Sequence, residues 1–188
     1  MEKKTVRDIN VKGKKVLVRV DYNVPMNDKG EITDTIRIDA TLPTLNYLLD
    51  QGAAIILMAH LGRPKGKVVP SMSLKPCAEY LSQVMKKEVK FAPDCIGPEA
   101  TEAARELQPG EILMLENLRF HPEEEKNDMA FAASLASLAD IYVNNGFGVS
   151  HRAHASVEGV AHYLPAVSGF LLEKEIKYLG NCLLYTSP

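Results

Sequence analysis

The chain has 188 residues, which is enough for one good-sized domain and short for two. Apolar residues make up 46% of it and charged residues 24%, a composition that is typical of globular proteins and excludes intrinsic disorder. The 22 basic residues nearly balance the 24 acidic ones. The resulting net charge of −2 favours neither a nucleic-acid-binding protein nor a membrane-surface protein, so any anion site must be local.

The spacing of apolar residues switches repeatedly along the chain and predicts strands that alternate with helices. The predicted strands are residues 16–20, 54–59, 89–91, 112–115 and 141–143. The predicted helices are residues 42–49, stopped by Gly52; a Ser73-capped stripe of Cys77, Leu81, Val84 and Met85; residues 98–107; residues 129–138, capped by Asn127 or Asp128; and residues 171–179. This alternation predicts a single α/β domain of Rossmann-like type, with a parallel sheet covered by helices on both faces in three layers.

Cysteine usage and the N-terminus indicate the compartment. Cys77, Cys95 and Cys182 are far apart and form no CxxC pair, which favours a reducing environment. The charged N-terminus is not followed by an apolar signal segment, and the longest apolar run, Ala53–Ala59, is too short to span a bilayer. We therefore expect a cytoplasmic protein.

Polar residues follow the predicted strands, where ligands bind in open α/β sheets. They are Asp21, Tyr22 and Asn23; His60, Gly62 and Arg63; Asn117, Arg119 and His121; and Asn144, Asn145, Gly146, Gly148, His151, Arg152 and His154. Arg37 lies in the first crossover, ahead of its helix. Because the planar guanidinium matches phosphate or carboxylate, and Asp21 and Asn23 suit a hydroxyl, the residues predict a pocket for a small hydroxylated polyanion.

Other interpretations of these residues remain open. The arginines could instead be solvated or paired with Asp39, Glu116 or Glu123, although four arginines at strand ends favour the anion pocket. The run at residues 123–125 is typical of a solvated segment before a helix, and Cys77 of a small buried hydrophobe.

Three patterns that would point to a more specific function are incomplete in this sequence. The segment 62–68, GRPKGKV, is one residue too short for a phosphate-binding loop and has valine where Ser or Thr would hold Mg²⁺. The start of a dinucleotide motif at residues 146–148 lacks its third glycine. His151 and His154 make a poor metal site and are better explained as phosphate-facing or packing imidazoles. We expect no metal or cofactor site in this chain.

Several segments, in order along the chain, resemble the phosphoglycerate kinase family. They are RVDYNVP at 19–25, AHLGRP at 59–64, ENLRFH at 116–121, HRAHAS at 151–156, and Arg37-Ile38 with Pro43-Thr44. The resemblance spans residues 5–181. It implies a glycolytic phosphotransferase with a carboxyl group as acceptor, which moves a phosphoryl group between 1,3-bisphosphoglycerate and ADP to give 3-phosphoglycerate and ATP.

Site roles follow from the resemblance, position by position. It implies that Arg63, Arg119 and Arg152, with His60, hold the 3-phosphate, and that the adjoining Leu61 and Gly62 also bind the substrate. Asp21 and Asn23 would contact the hydroxyl and carboxyl end. Arg37 is the implied catalytic residue, since it would reach the transferring phosphoryl group and neutralise its developing charge.

The resemblance also implies a domain organisation. Residues 1–181 would form the N-terminal, 3-phosphoglycerate-binding domain, while the C-terminal domain that binds ATP or ADP and Mg²⁺ is absent from the chain. That domain would be its partner in cis, and the full-length enzyme is expected to be a monomer that binds neither nucleic acid nor membrane. The alternative is a non-catalytic module that binds small anions.

Two segments depart from the family pattern. The family usually has NDAFG where this chain has Asn144-Asn145-Gly146-Phe147-Gly148, so the local pairing of Asn145 is open. Residues 182–188 resemble the translation of a transposon-end sequencing adapter and are expected to be a non-native tail.

Overall fold

The computed structural model describes residues 4–146, 152–174 and 177. Within them the strands are β1 (Lys15–Arg19), β2 (Ala54–Met58), β3 (Val89–Ala92), β4 (Ile112–Leu115), β5 (Ile141–Asn144) and β6 (Ala166–Ser168). The α-helices are α1 (Ile36–Asp39), α2 (Leu42–Asp50), α3 (Lys75–Met85), α4 (Pro98–Glu106) and α5 (Met129–Ala136). Short 3-10 turns occupy Val6–Asp8, Pro70–Met72, Leu118–Phe120 and Val160–His162, and Ala155–Gly159 forms one π-helical turn.

The strands form one parallel sheet in the order β3-β4-β2-β1-β5-β6. Arg19 at the end of β1 is in register with Met58 of β2 on one side and with Asn144 of β5 on the other. The chain therefore builds outward from β1 in two directions, and the order reverses between β1 and β5. In sheets of this kind such a reversal opens a crevice at the carboxyl ends of the strands.

Alternate residues of β1 enter two separate cores. Val16 and Val18 join the core that also contains residues of α2 and α3, such as Leu45 and Leu81. Leu17 joins the core built with α4 and α5. The apolar strand runs arise because both faces of the sheet are covered, and the predicted α/β fold is confirmed.

The five predicted strands are confirmed within one or two residues of their ends, and so are the helices that correspond to α2, α3, α4 and α5. The prediction missed β6, which has only three residues and pairs with β5, and the single turn α1. Arg37 thus lies inside a helical turn and not ahead of one. Residues 170–174 are helical, in agreement with the start of the last predicted helix.

Two details of α3 differ from the prediction. Its N-cap is Leu74, because the Ser73 hydroxyl donates to Glu116 Oε2 at 2.7 Å while accepting the Lys75 N–H. Val84, which was predicted to lie on the buried face of α3, is 38% exposed, and Ala78 lies on that face instead. The buried position of Cys77 is confirmed.

Some predictions fall outside the described residues. These are the roles of Gly148 and His151, the end of the last helix and the non-native tail at 182–188. Among the residues that are described, no helix combines the length and apolar character needed to cross a bilayer.

Candidate functional site

A cluster of guanidinium groups lies beyond the carboxyl ends of β2, β4 and β5. Arg119 is its buried member: its side chain is 7% exposed, and Nε and Nη2 have no hydrogen-bond partner among the described residues. Arg63 and Arg152, from two other loops, are exposed. A buried guanidinium with unpaired donors is costly without an anion, so this arrangement is suited to bind one.

The electrostatics show that the cationic groups are close to one another. Burial lowers the pKa of Arg119, Glu125 opposes this, and the charges of Arg152 and Arg63 lower the pKa further. The Glu125 carboxylate is 3.7 Å from Arg119 Nε and is itself 56% exposed, so this ion pair is weak. The cluster therefore keeps an excess of positive charge.

His60 is a neutral member of this cluster. His60 is 4% exposed. Burial lowers the pKa of its imidazole to about 2, and the charges of Arg19 and Arg119 act in the same direction. Arg152 and His154 contribute in the same direction, which places them near the imidazole. At neutral pH the imidazole thus adds a hydrogen-bonding group to the cluster and no charge.

A second group of polar residues lies beyond the end of β1. Arg37 Nη1 donates to the Asn23 carbonyl at 2.7 Å and lies 3.4 Å from Asp21 Oδ1. The Asn23 side-chain oxygen accepts the Gly62 N–H at 2.9 Å, which ties this loop to the loop after β2. Arg37 is 52% exposed and borders an open groove of about 530 Å³ that Ile36 and Asp34 also line. It can therefore reach a second ligand group.

The backbone of the loop after β2 is fixed by packing. Gly62 has φ +64, and a Cβ there would lie 3.0 Å from Met72 Sδ, so both conformation and space favour glycine. Leu61 is buried, and its carbonyl accepts the Asn117 side-chain amide at 2.7 Å. Asn117 also accepts the Arg119 N–H at 3.0 Å. One side chain thus holds together the two loops that carry Arg63 and Arg119.

Behind His60 lies a buried network that the sequence analysis missed. Arg19 Nη2 contacts His60 Nδ1 at 2.9 Å, and Arg19 Nε donates to Ser156 Oγ at 2.9 Å. The Glu124 carboxylate accepts both the N–H and the hydroxyl of Ser156. Arg19, Ser156 and Glu124 are all 0% exposed.

The network corrects the interpretation of residues 123–125 as a solvated run. Glu125 is exposed, but Glu124 is buried, and its charge is the largest one that opposes the lowering of the Arg19 pKa by burial. The sequence carried one signal, a charged residue directly at the end of an apolar strand, which is costly unless it is paired.

The alternative ion pairs are not observed among the described residues. Glu116 accepts the N–H groups of Leu74 and Asn117, at 2.8 and 2.9 Å, and contacts no arginine. The Asp39 carboxylate accepts the Tyr80 and Thr35 hydroxyls. Both acids have structural roles and do not pair with the guanidinium cluster.

Asn145 lies in a different environment from the arginines. It is fully buried, and its side-chain oxygen accepts the Thr44 hydroxyl and the Leu171 N–H, both at 3.1 Å. This oxygen joins the end of β5 to α2 and to the helical residues 170–174. The departure from the family pattern at this position therefore affects an internal contact.

A nucleotide does not fit the segment at residues 62–68. The Gly66 N–H donates to the Arg119 carbonyl at 3.1 Å, and the loop continues into the 3-10 turn Pro70–Met72. A phosphate-binding loop instead leads directly into a helix N-terminus that faces the phosphates.

One group of metal-ligating residue types occurs in the described part of the chain: Asp94, Cys95 and His121. His121 Nε2 is 2.7 Å from Asp94 Oδ1, and burial raises the pKa of the Cys95 thiol well above its usual value. The hydrogen bond to Asp94 accounts for the position of His121, which is one of the residues that follow a predicted strand.

The chain matches a family model described as phosphoglycerate kinase over residues 6–187. It is 60% identical over 183 residues to the phosphoglycerate kinase of Moorella thermoacetica, a match that covers 97% of this chain and 46% of that protein. It is 57% identical to the one from Desulforudis audaxviator, covering 97% and 47%. The chain thus spans about half the length of the curated relatives it matches.

Solved structures of phosphoglycerate kinases have a fold similar to that of this chain. Phosphoglycerate kinase from Coxiella burnetii matches with a TM-score of 0.86 at 35% identity, covering 95% of this chain and 44% of that one. The enzyme from Pyrococcus horikoshii matches with a TM-score of 0.88 at 34% identity, covering 98% and 46%.

Proposed function

The chain belongs to the phosphoglycerate kinase family, and from this premise we propose that it is the half of such an enzyme that binds phosphoglycerate. Phosphoglycerate kinases generally transfer a phosphoryl group with ATP or ADP and Mg²⁺. The proposed reaction is reversible: an oxygen of the ADP β-phosphate attacks the acyl phosphate of 1,3-bisphosphoglycerate, the bond from phosphorus to the acyl oxygen breaks, and 3-phosphoglycerate leaves as a carboxylate.

The observation that carries this proposal is the buried guanidinium of Arg119 with two unpaired donors, flanked by Arg63 and Arg152. The non-reacting 3-phosphate would accept hydrogen bonds from these groups. Arginine suits this role because its fork donates two parallel bonds to phosphate oxygens. His60 would add one further donor, and the loop at Leu61 and Gly62 the close backbone approach.

The polar group beyond β1 would hold the other end of the substrate. Asp21 and Asn23 offer acceptors to the glycerate hydroxyl. Arg37 sits beside them and is half-exposed, so it would interact with the transferring phosphoryl group, whose charge is redistributed in the transition state. In this arrangement three arginines bind the substrate and a fourth acts on the reacting atoms.

The loop at residues 62–68 does not lead into a helix N-terminus as a phosphate-binding loop does, and we therefore propose that ATP or ADP and Mg²⁺ bind the part of the enzyme that this chain does not span. The chain, with residues 1–181 as the substrate domain, would then bind 3-phosphoglycerate without catalysing transfer. Its remaining contribution is to position the substrate and to keep positive charge around it.

Calorimetric titration with 3-phosphoglycerate in a phosphate-free buffer tests this function. We expect the wild-type chain to bind it, Arg63→Ala to weaken binding about ten- to a hundredfold, and Arg63→Lys to recover only part of the loss. Arg105→Ala is the matched control, since Arg105 is 72% exposed on α4 and should leave the affinity unchanged.

Mg·ATP provides the contrasting ligand. It should neither bind the chain nor support phosphoryl transfer in a coupled assay. Binding of inorganic phosphate and 3-phosphoglycerate with equal affinity would instead indicate a general anion-binding module, and an unchanged affinity in Arg63→Ala would contradict the site.

A further inference from the structure

We propose that Arg19, Ser156 and Glu124 form a positioning triad that holds His60 in the tautomer with its proton on Nε2, so that His60 presents an N–H donor to the anion. The anion is identified by the proposed function above. The tautomer is argued independently, from the buried contacts alone.

The direction of each hydrogen bond in the triad is fixed by chemistry. An ionised carboxylate can only accept, so Glu124 accepts the Ser156 N–H at 2.7 Å and also the Ser156 hydroxyl proton. With its proton committed, the Ser156 oxygen can only accept from Arg19 Nε, which lies 2.9 Å away. The same guanidinium donates through Nη1 to the Val20 carbonyl. These two bonds of Arg19 fix the orientation of its guanidinium.

That orientation determines the state of His60. Arg19 Nη2 is 2.9 Å from His60 Nδ1, and a guanidinium has donors but no acceptor. His60 Nδ1 must therefore carry the lone pair, which leaves the proton of the neutral ring on Nε2. The unused ring nitrogen is a donor, as a phosphate oxygen requires.

The other tautomer would oppose binding. It would place a hydrogen on Nδ1 against the Arg19 N–H and direct the Nε2 lone pair at an anion. A cationic imidazole would add a fourth positive charge to those of Arg19, Arg119 and Arg152, which already act on this ring. The triad thus selects the one state that binds an anion without adding to the repulsion within the cluster.

Glu124 is needed because Arg19 is fully buried. A buried guanidinium without a nearby negative charge is strongly destabilising, and the Glu124 charge supports its protonated form. Ser156 separates the two charged groups, so the hydroxyl transmits the geometry while the carboxylate supplies the charge. Glu124 and Ser156 come from different parts of the chain, which explains why no local motif shows the triad.

The test is long-range ¹H–¹⁵N NMR on the ¹⁵N-histidine-labelled chain. His60 is assigned by loss of its signals in His60→Gln. We expect an unprotonated Nδ1 and a protonated Nε2 in the ligand-free wild-type chain. A protonated Nδ1, or the averaged shifts of a tautomer mixture, would overturn the proposal without any variant.

Variants separate the triad from a merely structural role. Arg19→Lys keeps a donor without a lone pair and should keep the Nε2–H tautomer. The charge-balanced pair Arg19→Met with Glu124→Gln removes the donor and should give a mixture, with affinity for 3-phosphoglycerate reduced about ten- to a hundredfold. The control is Arg105→Met with Glu102→Gln, an exposed pair of the same residue types on α4, which should change neither signal nor affinity.

The outcomes are distinguishable. A pure Nε2–H tautomer and full affinity in the folded Arg19→Met, Glu124→Gln chain would refute the triad. If circular dichroism shows that this variant does not fold, the wild-type and Arg19→Lys spectra decide. If 3-phosphoglycerate fails to bind the wild-type chain, the proposed function fails, whereas a Nε2-protonated His60 in that chain still supports the triad.

Discussion

Replacing Arg119 by Met should make the ligand-free chain more stable. Arg119 has two buried nitrogens without partners among the described residues, and two neighbouring arginines that repel it. Methionine keeps most of the aliphatic stem, adapts to irregular space and has no donor to satisfy. The backbone bonds of residue 119, to the Asn117 side chain and to Gly66, do not depend on its side chain.

The size of the effect follows from the cost of unsatisfied donors. Leaving a buried polar group unpaired costs about 1–3 kcal/mol, and the lost contact with the exposed Glu125 is worth about 0–1 kcal/mol. We expect the free energy of unfolding to rise by about 1–2 kcal/mol. For a domain of this size, that raises the Tm by about 2–8 °C.

When 3-phosphoglycerate is present, we expect the wild-type chain to be more stable than Arg119→Met. At a 3-phosphoglycerate concentration about 100 times its Kd, the wild-type chain gains about 2.7 kcal/mol, while Arg119→Met gains much less. Urea unfolding in phosphate-free buffer, with and without 3-phosphoglycerate, measures both states. Arg105→Met is the control and should stay within about 0.5 kcal/mol of wild type. A ligand-free Arg119→Met chain that is less stable than wild type would show that the guanidinium is satisfied in the fold and refute the argument.

Three further predictions concern the same site. Arg37→Ala should weaken 3-phosphoglycerate binding by less than about threefold but slow transfer strongly once the chain is joined to the other half of a family member, whereas Arg152→Ala should weaken binding about tenfold or more; equal losses of affinity in titrations would contradict these roles. Glu124→Ala should cost about 3 kcal/mol in urea unfolding by leaving a buried charge unpaired, and Glu125→Ala almost nothing; similar costs would contradict the burial of Glu124. Because the pKa of His60 falls from 6.5 to about 2 on folding, the unfolded chain takes up its proton first as the pH drops below 6.5. Wild type should therefore lose about 1.4 kcal/mol more stability than His60→Gln between about pH 7.5 and pH 5.5, and parallel stability curves would refute the shift.

Strand positions could be predicted because both faces of the sheet are covered. A central strand such as β2 is then an unbroken apolar run that is buried along its whole length. The strand β6 lacks that signal: it has three residues, and its first, Ala166, is exposed. Its pairing with β5 depends on contacts between distant segments, which local patterns do not contain.

The candidate site was predictable in part for a related reason. Parallel strands end at one edge, so residues that follow different strands, such as His60 and Arg119, meet there whatever their separation in sequence. The burial of Glu124 was not predictable in this way. Three consecutive glutamates predict a solvent-exposed segment. Glu124 is instead buried against Ser156, which lies 32 residues away in sequence.

The placement of β1 between β2 and β5 makes its length intolerant of change. Its alternate side chains fill two different cores, and its last residue, Arg19, belongs to the network behind His60. Inserting or deleting one residue would exchange the two faces and move Val18 and Arg19 into each other's surroundings. Sequence drift in this family member should therefore accumulate as substitutions in β1 and as length changes only in exposed turns, such as residues 27–30. One five-residue strand thus couples the packing of both cores to the position of His60.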